Sequence, residues 1–216
     1  MSSYKIKEKF GVVGLRIQYE LKGKLCIPIK ETSSDRKEIC VSRSFAYPID
    51  SLEDLSQAII KYVLIASAKL RKYNQLSSAI TVFTNTNTHL KDFYKSEATG
   101  KIEIPTSDSK LILEKSLDLT EKIFKPYRKL KKAGVILHKL QSNKYKQKLL
   151  FYNHNIQEEF CQERLNYLID EINKKNGRNT INWGTPMIEK DWKPSRNKLS
   201  NIKTTNIESI PTIYAN

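Results

Sequence analysis

The side chains in this chain best equipped for chemistry are its cations. Between Glu121 and Lys148 stand ten Lys or Arg (Lys122, Lys125, Arg128, Lys129, Lys131, Lys132, Lys139, Lys144, Lys146 and Lys148) against a single acid, Glu121. Charge concentrated in this way suits a docking surface for a polyanion, where the chemistry is neutralisation of phosphates rather than the making or breaking of bonds. A solvated helix end followed by a basic linker would carry the same residues, so the charge alone leaves both readings open. Upstream, Ser42, Arg43 and Ser44 in the run SRSF would offer a guanidinium and two hydroxyls to a phosphate line from one strand. No base-reading element is apparent, so the expected binding has weak sequence preference.

Other chemistries find little support. Metal-dependent nucleotide transfer needs carboxylates that converge on two divalent ions, whereas Glu53 and Asp54 fall at a helix start and Glu158, Glu159 and Glu163 on a helix turn, positions suited to capping and solvated faces. His89, His138 and His154 are scattered, no Ser or Cys has a recognisable base nearby, and none of the seven glycines lies in a phosphate-binding loop. The expected reading is therefore no catalytic residue, no metal and no cofactor. Cys26, Cys40 and Cys161 lack the paired spacing of a zinc site or a disulfide framework, and are read as reduced and structural.

A different signal is the knot Gln147, Lys148, Leu149, Leu150, Phe151, a polar anchor followed by large apolar residues inside a hydrophilic stretch. With no neighbouring core to fill, such a knot can plug a hydrophobic pocket on a partner as a linear peptide, at micromolar strength or about 8 kcal/mol. The pattern is short enough to arise by chance.

These residues must be carried by something. The chain has 216 residues with a net charge of +15, enough for one good core with appendages. Ile6, Phe10, Val13, Ile17 and Leu21 form an apolar stripe on a helix over residues 3–22 that ends at Gly23, a helix with no partner of its own and an abrupt start that suggests the end of something longer. Pro28 and the run ETSSDRK read as a linker. Residues 38–45 read as a strand, and Ser51, with Asp54 three residues on, opens a helix whose inner face is Leu55, Ile59, Tyr62, Val63, Ala66 and Leu70. Strands follow at 79–85 and around Gly100–Ile104, the latter stopping at Pro105. Thr106 or Asp108 then caps a helix carrying Ile112, Leu119, Ile123 and Tyr127 inward, and a last strand runs from Ala133 to Leu140. This order is the split βαββαβ plan, an α+β fold in which two helices cover one face of a four-stranded sheet and leave the other open. Beyond a polar linker, Cys161, Leu165, Leu168, Ile169 and Ile172 mark a short amphipathic helix ending near Gly177, and the Asn-, Thr- and Pro-rich remainder has no core of its own. No run reaches the length of a membrane span and the N-terminus lacks a signal-peptide core, so a cytosolic protein with no membrane partner is expected.

Several segments together resemble the C-terminal half of the UmuC-type Y-family translesion polymerases: GVVGLR with YELKG (11–23), ICVSRSF (39–45), ASAKLR (66–71), TVFTNT (81–86), PTSDS (105–109), KKAGVIL (131–137), QKLLF (147–151), LIDEIN with GRNT (168–180) and LSNIKTT (199–205). The resemblance implies a thumb-end helix at 1–25, a linker at 26–36, a DNA-gripping little-finger domain at 37–140, a clamp-binding linker at 141–154 and a small C-terminal domain at 155–216. It implies DNA contacts from Ser42, Arg43, Ser44, Arg71, Lys129, Lys131 and Lys132, and a sliding-clamp peptide at Gln147, Leu149, Leu150 and Phe151. Further partners implied are the processed UmuD dimer and the RecA filament. Departures from the family pattern include Ala46 after SRSF, Lys148 within the clamp peptide, and LSNIKTT where LSPRYTT is usual, which fit a split or decaying gene. The expected function is a SOS-type DNA-binding and clamp-binding module that lacks the catalytic palm. Two alternatives stay open: the C-terminal part of a split polymerase, active only with a separate palm, and a basic RNA-binding adaptor.

Overall fold

A computed structural model describes residues 2–28, 36–89, 91–145, 156–177 and 180–183. The chain divides into two units, 1–35 and 36–216. In the first, helix α1 (Ser3–Leu21) is bent at Gly11, whose φ of 66° only glycine adopts freely. The expected continuous helix is thus two segments, with Ile6 and Phe10 before the bend and Val13, Ile17 and Leu21 after it. Phe10, Val13, Ile17 and Leu21 are exposed.

In the second unit the order is β1 (Ile39–Ile49), α2 (Leu52–Lys72), β2 (Gln75–Asn85), β3 (Lys95–Thr106), α3 (Ser109–Ile123), β4 (Leu130–Ser142) and α4 (Ile156–Asn176). The four strands form one antiparallel sheet in the order β1-β4-β2-β3, as the βαββαβ reading expects. Residues paired across strands share a face, and successive residues alternate faces. The registers Val41–Val135–Val82 and Ile39–Leu137–Ile80 therefore build one side of the sheet, and these six residues join Leu55, Ile59, Tyr62, Val63, Ala66 and Leu70 of α2 and Ile112, Leu119 and Ile123 of α3 in a single core. Each such large side chain buried contributes roughly 1.5–3 kcal/mol. Gly100 lets α3 approach β3 closely, since a Cβ there would lie 2.9 Å from Lys115 Cε and 3.2 Å from a methyl of Leu119.

Three details depart from expectation, at β3, Ser51 and Tyr127, while the cap of α3 agrees with it. Strand β3 starts at Lys95 and runs through Pro105 instead of stopping before it; β3 is an edge strand bonded only to β2, where a missing N–H costs no ladder bond. Ser51 is the N-cap of α2, yet its side chain makes no capping hydrogen bond. Asp108 does cap α3, accepting from the Lys110 backbone N–H at 3.1 Å. Tyr127 does not face inward, because α3 ends at Ile123 ahead of Pro126, which disfavours helix in the residue before it. The three cysteines are free, and none belongs to the core. Among the described residues, no helix is long and apolar enough to cross a membrane.

Helix α4 also docks differently from its sequence pattern. Leu165 and Leu168 remain exposed, while Ile169 and Ile172 are half-buried beside two polar anchors: Asn166 Nδ2 donates to Asp108 Oδ1 at 2.9 Å, and Asp170 accepts from Arg71.

Candidate nucleic-acid interface

Among the described residues, the sheet face away from α2 and α3 is uncovered and carries the opposite set of registers. Its central rows are Cys40–Ile136–Thr81–Thr99, Ser42–Gly134–Phe83–Glu97 and Ser44–Lys132–Asn85–Lys95. One row further along, Glu38 Oε1 lies 2.9 Å from His138 Nδ1, His138 Nε2 lies 2.8 Å from Thr81 Oγ1, and Thr81 Oγ1 lies 2.7 Å from Thr99 Oγ1. A carboxylate only accepts, so Nδ1 donates to Glu38; in the neutral ring Nε2 then accepts from Thr81, and Thr81 in turn accepts from Thr99. This relay links residues on β4, β2 and β3 with the segment leading into β1, and stiffens the open face.

At the middle of that face the Phe83 ring and Ser42 close over the buried Gly134. A Cβ there would fall 2.4 Å from Ser42 Cβ and 2.7 Å from Phe83 Cζ. Neighbouring side chains thus already occupy the space, and only glycine lets Phe83 and Ser42 pack this closely over β4.

The cations are not spread evenly. The end of β1, the start of β4, the end of β2 and the start of β3 lie together at one end of the sheet. This end holds Lys95, Lys132 and the α3–β4 turn with Lys125, Arg128 and Lys129. Lys125 Nζ and Arg128 Cζ sit 5.2 and 5.3 Å from the centre of the Tyr94 ring, holding the turn against the segment that leads into β3. Lys131 Nζ donates to the Ala46 carbonyl at 2.9 Å, tying the turn's exit to the irregular stretch of β1 between Ser44 and Ile49.

Of the residues expected from sequence, Ser42, Ser44 and Lys132 therefore lie on the open face. Alternation puts the exposed Arg43 on the other side of β1, where its charge acts on Tyr62: burial pushes that phenol up to about 12, with the guanidinium pulling the other way. Lys129 is exposed in the turn, and Lys131 serves the tie to Ala46. Arg71 is at the far end of the sheet, and its Nε, Nη1 and Nη2 all donate within the protein, to Asp170, the Ser107 carbonyl and Ser109. Sequence reading missed Lys95, Thr81, Thr99 and His138; strict alternation extended from Lys95, once β3 is known to begin there, would have found the first. The peptide Gln147, Leu149, Leu150 and Phe151 lies outside the described residues. Among the described residues, no group of three or more His, Cys, Asp or Glu side chains is placed to hold a metal ion.

A family model for the impB/mucB/samB family C-terminal domain matches residues 36–150, more than half of the chain. The chain belongs to this family. A second model, a domain of unknown function (DUF4113), matches residues 163–213. Among curated relatives, Protein MucB of Salmonella typhimurium is 32% identical over 208 residues, covering 95% of this chain and 48% of MucB. Protein UmuC of Salmonella typhimurium strain LT2 is 29% identical over 206 residues, covering 94% of this chain and 48% of UmuC. The chain spans about half the length of the curated relatives it matches. Among solved structures, the insertion ternary complex of Dbh DNA polymerase overlaps with a TM-score of 0.41 and 14% identity, over 66% of this chain and 40% of that one; the overlap is too loose to place DNA on this chain.

Proposed function

We propose that this chain is the DNA-holding portion of a UmuC-type translesion machinery, gripping the duplex through its phosphates on the open sheet face and taking no part itself in nucleotidyl transfer. The observation that carries the reading is the arrangement of that face: hydroxyl-bearing strands carrying Ser42, Ser44, Thr81 and Thr99, with Lys132 and the Lys125–Lys129 turn gathered at one end beside Lys95, which pairs with Glu97 at 2.7 Å. Hydroxyls and ammonium groups on a flat surface suit a line of phosphates. Gln147, Leu149, Leu150 and Phe151 would tether the same chain to a sliding clamp, so that a weak grip on DNA is reinforced by a second attachment. The processed UmuD dimer and the RecA filament are further partners in this reading, which places the protein in the DNA-damage response of the cytoplasm.

The test is duplex binding by fluorescence anisotropy across a salt series. If about five phosphates are neutralised, log K falls against log salt with a slope of roughly −4 to −5. Replacing Lys129 and Lys132 with Ala should reduce that slope by about two. Affinity indifferent to salt would sink the reading, and preference for structured RNA over duplex DNA would replace it with that of an RNA adaptor. Because the relatives extend over twice the aligned length, a second reading is completion of a polymerase in trans; primer extension that appears only when a separately expressed palm is added would establish it.

A further inference from the structure

The α3–β4 turn carries a feature that phosphate binding leaves unexplained. Tyr127 is 97% exposed, and its φ is 68°. A bulky residue in left-handed backbone is uncommon and strained, and such residues persist only where their surroundings hold them. Here the holding groups are visible on both sides. Lys125 and Arg128 lie over the Tyr94 ring, Leu130 enters the sheet opposite Ile49, and Lys131 is bonded to Ala46. With its flanks pinned, the turn presents the ring of Tyr127 to solvent. On the β1 stretch to which the turn is tied, Tyr47 is 67% exposed. Single exposed aromatics are ordinary, but two of them at the basic end of the sheet, one on strained backbone between cations, have the composition of a platform for unpaired bases: a π-face beside a phosphate-attracting field.

We propose that Tyr127, seconded by Tyr47, stacks on an unpaired DNA base where a strand leaves the duplex at the basic end of the sheet. This rests on the duplex-holding reading above and adds to it a preference for a duplex that continues into single strand. The cations recruit the backbone on either side, while stacking is indifferent to base identity, so the preference is for strand state and not for sequence.

The full chain is titrated against three labelled probes: a blunt duplex, the same duplex with a short DNA overhang carrying 2-aminopurine, and its counterpart with an RNA overhang. The expected result is binding of the DNA overhang about tenfold tighter than the blunt duplex, equivalent to ~1.4 kcal/mol, with quenching of the 2-aminopurine as it stacks. Tyr127→Ala should abolish the advantage and the quenching while blunt-duplex affinity stays within twofold, and Tyr127→Trp should preserve both. Tyr47→Ala should reduce the advantage partially. Overhang binding unchanged in Tyr127→Ala, equal loss on blunt and overhang probes, or tighter binding of the RNA overhang would each overturn the proposal. Wild-type protein that ignores the blunt duplex yet quenches the overhang through Tyr127 would sustain the stacking site and sink the duplex-holding reading instead.

Discussion

Replacing Arg71 with Ala should release helix α4 from the domain without weakening the hold on DNA. The Arg71 guanidinium meets Asp170 with two nearly parallel bonds, 2.5 Å from Nε and 2.8 Å from Nη2, and Nη1 reaches the Ser107 carbonyl and Ser109 Oγ, each at 2.9 Å. The two side chains are 16% and 30% exposed. Breaking one partner of a fully buried pair costs about 3–5 kcal/mol, and a hydrogen bond to a charged group about 1.5–3 kcal/mol. With Asp170 still reachable by water, about 2–3 kcal/mol is the appropriate scale. The other holds named on α4 are Asn166, 2% exposed, on Asp108 and the half-buried Ile169 and Ile172, while Leu165 and Leu168 stay exposed. A helix owes most of its stability to tertiary packing, so once released it frays. Hydrogen exchange followed by mass spectrometry should therefore show α4 amides exchanging roughly 30- to 100-fold faster, with α2 and β4 unchanged, and Asp170→Ala should behave alike. A double-mutant cycle should return a coupling of about 1–2 kcal/mol. Unchanged exchange in α4 would refute the latch, and loss of duplex affinity as large as that of Lys132→Ala would return Arg71 to the DNA interface.

Three further outcomes are expected. Tyr62 is buried and its phenol is pushed up to about 12; a raised folded-state value means stability that is present below the unfolded value near 10 and lost as pH climbs through 12, amounting to about 2–3 kcal/mol. Urea melts at pH 9 to 12 should accordingly show Tyr62→Phe losing less stability than wild type, and parallel losses would contradict the assignment. Gly134→Ala sets a methyl 2.4 Å from Ser42 Cβ, so urea denaturation should report a loss of about 1–3 kcal/mol, partly recovered by adding Ser42→Gly; a neutral Gly134→Ala would show that the packing there has room. Replacing Leu150 and Phe151 with Ala should abolish capture by an immobilised sliding clamp while duplex affinity is retained, whereas equal loss of both would mean that the knot belongs to the fold.

The parts of the fold legible in sequence are those where one periodicity dominates. Leu55, Ile59, Tyr62, Val63, Ala66 and Leu70 recur at helical spacing because one face of α2 must meet the sheet, and all six are buried. The errors fall where tertiary context overrides local pattern. Pro105 looks like a strand terminus until β3 is known to lie at an edge. Tyr127 continues the spacing of α3, yet Pro126 and the need to turn into β4 place it beyond the helix end. The apolar residues of α4 suggest a buried face, but the partner surface offers Arg71 and Asp108, and the helix turns its polar residues to them. Within SRSF, adjacency in sequence hides that Arg43 and its flanking serines point to opposite sides of β1, a consequence of pleating rather than of composition. The relay from Glu38 to Thr99 was invisible for a related reason: its members come from four separate segments and meet only through register.

The placement of α4 also bears on how one domain could serve DNA and other attachments together. α2 runs from the basic end of the sheet to the far end, so Arg71, one residue before its terminus, and Asp108, at the start of α3, both lie away from Lys95, Lys132 and the Lys125–Lys129 turn. Anchoring α4 there keeps this helix off the open face and its basic end. A helix docked by leucines would have had to share the covered side of the sheet with α2 and α3. One docked by an ion pair and an amide can sit at the domain's end, where its loss costs the latch and leaves the proposed phosphate-binding surface in place.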